Sequence, residues 1–169
     1  MKINDIIDYS LASIARRVKE APSQKLAELA ANNVSRSTFA ITETFSVLTD
    51  TMKSELLSFI QELSQTNIKT RHIFDLQNKL HLFVQVQYNE HEEYLKTLSI
   101  FDKFSGSLMN DFIKKELEDV LSSVELKVMI LEKKLSDQRK QIFWDLCKMA
   151  LSAIIGGLIG AYLKNLIGF

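Results

Sequence analysis

At 169 residues the chain has the length of one domain, and one proline with five glycines is too little punctuation for a turn-rich all-β architecture. Lysine plus arginine balance aspartate plus glutamate at 21 each, which argues against a general nucleic-acid binder, since these carry a basic excess. A single cysteine, Cys147, excludes an intrachain disulfide and fits a reducing compartment.

The first apolar residues, Ile3, Ile6, Ile7, Leu11, Ile14 and Val18, recur at helical spacing. Asp5 and Asp8 interrupt them and Arg16, Arg17 and Lys19 follow, which is not the layout of a secretory signal. Pro22 disfavours helical angles in the residue before it, and Ser23 suits an N-cap. The sequence therefore predicts a short helix over about 3–20 and a second over 23–63. The second carries the stripe Leu26, Leu29, Val34, Ser37, Ile41, Phe45, Leu48, Met52, Leu56, Ile60 and Leu63. Such a helix would be about 60 Å long.

Ser64-Gln65-Thr66-Asn67 reads as a turn. A third helix is expected over 68–104, with Phe74, Phe83, Tyr88, Tyr94, Phe101 and Phe104 in its core. A turn at Phe104-Ser105-Gly106-Ser107 leads to a fourth helix over 107–141. There Leu117, Leu121, Val124, Val128, Leu131, Leu135, Gln138 and Ile142 alternate spacings of four and three, a heptad seam with one polar position. The expected fold class is all-α: an elongated antiparallel bundle or coiled coil. Three long helices are expected to form that bundle, with a parallel oligomeric coiled coil as the rival.

No breaker separates the seam from residues 142–169, so the last helix is expected to continue into a transmembrane-type segment. Met149 to Leu163, MALSAIIGGLIGAYL, is an uncharged run that falls short of the roughly 20 residues of a typical span. Its flanks compensate. Trp144 and Tyr162 stand about 27 Å apart along a helix, matching the two interfaces of a bilayer. Lys148 and Lys164 sit where they can reach outward. Ser152, Gly156 and Gly160 form one small-residue row, and Ala153, Gly157 and Ala161 another, the spacing that lets helices approach closely. Lys133, Lys134, Arg139, Lys140 and Lys148 precede the run and Lys164 alone follows it, so the positive-inside rule places the N-terminal domain on the cytoplasmic side of a membrane.

No catalytic constellation stands out. His72, His81 and His91 are not spaced as ligands on one helix face, and no Glu-x-x-His pair, phosphate loop or nucleophile elbow occurs. No cofactor or metal is expected. His91 lies among Glu90, Glu92 and Glu93, which reads either as a pH sensor or as a solvated charged face. Cys147, at the membrane edge, reads as a packing residue or an acylation site.

Three functional classes remain. The layout of long helices with one glycine-rich apolar segment is similar to that of helical pore-forming toxins and small membrane effectors of bacterial defence systems, although no motif carries the likeness. The leading expectation is thus a non-enzymatic protein that self-assembles through the seam and tail and forms a pore or perturbs a bilayer. The alternatives are a tail-anchored tether whose helices bind a protein partner, and a soluble homo-oligomer with the tail in its core.

Overall fold

The computed structural model describes residues 3–66, 68–101 and 106–167, with side chains described as far as residue 155. The chain is all-α: α1 (Ile3–Ala31), α2 (Thr38–Leu63), α3 (Ile73–Thr97) and α4 (Ser107–Ile167), with a 3-10 turn at Thr70–His72 and no strand among the described residues. It divides into two compact units, Met1–Leu131 and Glu132–Phe169.

The first helix does not stop at Pro22. It runs nine residues further, with Pro22 inside it and buried. An interior proline costs a helix about 3 kcal/mol through the lost N–H bond and the ring's clash with the preceding turn. The buried stripe offsets that cost. Ile7, Leu11, Ile14 and Val18 continue through Pro22 into Leu26 and Leu29 on one face, and a few such side chains contribute more than the proline removes.

The actual break is at residues 32–37. Asn33 adopts φ 59°, its N–H donates to the Ala30 carbonyl at 3.0 Å, and the Val34 N–H donates to the Leu29 carbonyl at 2.8 Å. These two bonds around a left-handed residue are a Schellman terminus. Ser37 then caps α2 in extended conformation, its hydroxyl accepting from the Ala40 N–H at 3.1 Å. The predicted 60 Å helix is therefore two shorter ones that fold back on each other. The C-terminus of α3 repeats the device. Ser99 has φ 53°, and the N–H groups of Ser99 and Ile100 donate to the carbonyls of Lys96 and Leu95 at 2.8 and 3.1 Å. Ile100 and Leu95 are both buried. Helix α3 thus ends at Thr97, short of the predicted residue 104. Asn67 and Phe104-Ser105 of the two predicted turns lie outside the described residues.

Contacts between side chains set the topology of the Met1–Leu131 unit. Arg17 forks onto Glu55 with two bonds of 2.7 Å, while Val18 and Leu48 line one groove, so α1 and α2 are antiparallel. Asp8–Lys79 at 2.6 Å and Lys19–Glu90 at 3.0 Å are both offset by 71 positions, so α1 and α3 are parallel. Helix α4 meets α2 through Lys53–Asp119 and α3 through His81–Glu125 at 2.8 Å. The result is an up-down four-helix bundle in place of the expected three long helices. The whole α2 stripe from Ile41 to Leu63 is buried, with Phe45, Leu48, Met52, Leu56 and Ile60 at its centre.

Candidate functional site

Helix α4 carries the residues that the sequence singled out. Its buried face in the bundle is Val120, Val124, Val128 and Leu131, followed by Leu135. Val124, Val128, Leu131 and Leu135 belong to the predicted seam, whereas Leu117 and Leu121 are half-buried and Gln138 and Ile142 are exposed. The seam's centre is thus occupied inside the chain's own fold. Val120, which the heptad register passed over, is fully buried, because the stripe follows the helix's natural 3.6-residue period across that stretch. A different face of α4 leaves Leu126, Met129 and Ile130 exposed at three- and four-residue spacing.

From residue 142 onward the apolar side chains are exposed: Ile142, Phe143, Trp144, Leu146, Met149, Leu151, Ile154 and Ile155, each more than half accessible. Successive residues turn by about 100°, so these spread over about two thirds of the helix's circumference, and Asp145, Lys148 and Ser152 fall together on the remaining face. Asp145 and Lys148 are the only charges among residues 142–155, 3.8 Å apart. Ser152 returns its hydroxyl to the Lys148 carbonyl at 2.9 Å, and Ala153 beside it is exposed. Cys147 is a half-buried free thiol. Gly156, Gly157, Gly160, Ala161, Tyr162 and Lys164 lie outside the residues whose side chains are described. Among the described residues, no helix is long and apolar enough to cross a membrane.

A second feature lies inside the bundle. Val18, Lys19, Pro22 and Ser23 of α1, Leu48 of α2, and Gln87, Asn89, Glu90, His91, Glu93 and Tyr94 of α3 line a groove of about 520 Å³. His91 is 7% exposed and Gln87 5%. The His91 ring meets Phe45 edge-on at 4.8 Å and lies 6.3 Å from Tyr94. Burial pushes the imidazole down from 6.5 to about 4, so it is neutral at pH 7. Gln87 donates to a Glu90 carboxylate oxygen at 3.2 Å. Gln87 Oε1 and His91 Nε2 are buried without a hydrogen-bond partner among the described residues.

His91 is therefore not on a solvated charged face, although Glu90 and Glu93 line the same groove. The signal that could have revealed it is the α3 stripe itself. Ile73, Leu76, Leu80, Val84, Gln87, His91 and Leu95 repeat at three and four and are all buried, so two polar residues stand at core positions. Deeper, Tyr88 and Thr49 share a hydrogen bond of 2.6 Å. Thr49 donates its one hydroxyl proton to the Phe45 carbonyl at 2.9 Å, which makes Tyr88 the donor. Burial holds the Tyr88 phenol well above its ordinary value. Of the other aromatic residues expected in the core, Phe101 is buried, but Phe74 is 75% and Tyr94 40% exposed. Helix α3 turns Phe74 away from the bundle and leaves Tyr94 at the edge of the groove.

Among the described residues no three His, Cys, Asp or Glu side chains gather as metal ligands. Comparison with protein families, curated proteins and solved structures found no match to this chain.

Proposed function

We propose that the chain is a non-enzymatic, membrane-associated protein that self-assembles through its C-terminal helix and perturbs the bilayer it enters, with the four-helix unit on the cytoplasmic side. The observation that carries this reading is the broad band of exposed apolar side chains on residues 142–155. A helix with one narrow apolar stripe is covered by a single neighbour, whereas one apolar over about two thirds of its circumference calls for lipid or several other helices around it. The uncharged run to Leu163, its Trp144 and Tyr162 flanks and its two rows of small residues support the same reading. Exposed Leu126, Met129 and Ile130 add a patch of the kind that marks association surfaces.

Trp144 is the only tryptophan and lies at the start of this segment, so its fluorescence reports directly on the event. With vesicles containing anionic lipid, Trp144 emission is expected to shift to the blue, the full-length protein to float with the vesicles, and an encapsulated dye to leak. Leu151→Lys should suppress the shift and the leakage, and Gly156→Leu should suppress leakage while leaving binding. Binding without leakage would replace the perturbing role with that of a tether. A defined oligomer that ignores vesicles would overturn the membrane reading.

A further inference from the structure

We propose that residues 133–140 form a recognition element for anionic lipid headgroups, so that the C-terminal helix selects negatively charged bilayers. This inference rests on the membrane reading above and names the surface that the helix enters.

The neutrality of the whole chain hides a separation of charge. Residues 132–169 carry six basic and three acidic side chains, which leaves 15 and 18 for residues 1–131. The C-terminal unit is thus net positive by three and the bundle unit net negative by three. Such asymmetry within one chain points to a charged partner surface. The excess is concentrated. Lys133, Lys134, Arg139 and Lys140 fall within eight residues, and all four are exposed. Glu132 and Asp137 offset half of that charge. The Lys140–Asp137 pair is 3.9 Å long and exposed on both sides, so it contributes little and leaves Lys140 available to a stronger partner.

Position decides the kind of partner. The four side chains directly precede the band of exposed apolar residues that begins at Ile142. Arg139 and Lys140 lie within about 5 Å of its start along the helix axis, and Lys133 and Lys134 within about 14 Å. Their long stems can extend toward the boundary from there. The field of an anionic leaflet reaches about 8 Å into physiological salt, so a helix whose band is buried in the bilayer brings these charges into it. A nucleic acid would engage the basic residues but leave the apolar band exposed, and it would meet a net-negative bundle unit. A charged bilayer accommodates both the band and the basic residues. Each uncompensated basic side chain near such a surface strengthens binding about fivefold, so the net two charges here should give at least about tenfold.

Trp144 emission reads the partition of the full-length protein into vesicles of phosphatidylcholine, alone or with added phosphatidylserine. Partition should be at least about tenfold stronger into the anionic vesicles at about 0.1 M salt, and the preference should vanish at about 1 M. The combined variant Lys133→Gln, Lys134→Gln, Arg139→Gln and Lys140→Gln keeps good helix formers on exposed positions. It should lose the preference while still entering neutral vesicles. Replacing Lys69, Arg71, Lys114 and Lys115 of the bundle unit by Gln, all of them exposed, removes the same charge and should retain it. Equal partition into the two vesicle types, a preference that survives the first variant, or one that the second variant also abolishes would each overturn the headgroup recognition and leave the membrane reading standing. Failure to enter either vesicle would overturn both.

Discussion

Burial of the His91 imidazole makes stability depend on acidity. The folded chain keeps His91 neutral down to about pH 4, whereas an exposed histidine takes up its proton near 6.5. The unfolded state thus binds the proton first, and stability must fall as pH drops below about 6.5 and level off below about 4. The full loss is about 3 kcal/mol. Urea unfolding at pH 7, 5.5 and 4.5 should show it, and His91→Leu should flatten that part of the profile. The Tyr88–Thr49–Phe45 chain of bonds makes a different, asymmetric prediction. Tyr88→Phe removes a donor and leaves Thr49 still bonded to its own helix, for a cost of about 1 kcal/mol. Thr49→Val strands the buried Tyr88 hydroxyl and should cost about 1–3 kcal/mol. Equal midpoint shifts for the two variants in denaturant melts would contradict the assigned direction of donation.

At the scale of the helices, termination is decided by local hydrogen bonding more than by the most conspicuous residue. Pro22 is the strongest breaker in the sequence, yet the stripe it interrupts is buried on both sides of it and the helix persists. Asn32-Asn33 is weaker punctuation, but Asn tolerates the left-handed conformation, and Asn33 adopts it here so that its own N–H and that of Val34 close the two terminal bonds. The periodic stripes of α2 and α3 could be read from spacing alone. The end of α1 could be read only in part: the step of five from Leu29 to Val34 leaves the helical face by about 140°, but the left-handed Asn33 that closes the helix shows only in the backbone. Likewise the heptad seam marked the right helix, but its register slipped past Val120 at one end and ran beyond the buried face to Gln138 and Ile142 at the other. Asn33→Val should destabilise the chain by about 1–2 kcal/mol, since a β-branched residue resists φ 59°, while Asn33→Gly should be neutral or slightly stabilising. Ser37→Ala should cost about 1 kcal/mol through loss of the α2 cap. Thermal melts should place Asn33→Val lowest, Ser37→Ala next and Asn33→Gly highest.

At the scale of the molecule, the interhelix ion pairs define register more than they supply stability. Asp8–Lys79, Lys19–Glu90 and Arg17–Glu55 all have at least one partner half exposed or nearly so, and such pairs contribute about 1 kcal/mol or less. What they record is that α1 lies parallel to α3 at a constant offset of 71 positions, and this has a kinetic consequence. Residues 32–37 bring α2 back onto α1 across a closure of six residues, which costs little chain entropy, whereas α1 can meet α3 only after α2 has been laid down between them in sequence. The α1–α2 hairpin should therefore form before the rate-limiting barrier and α3 should dock after it. In stopped-flow experiments, Ile14→Val and Phe59→Leu should mainly slow refolding, and Leu80→Ala should mainly speed unfolding. The groove that holds Gln87 and His91 is closed by α3, so it would be the last part of the bundle to assemble and the first to open.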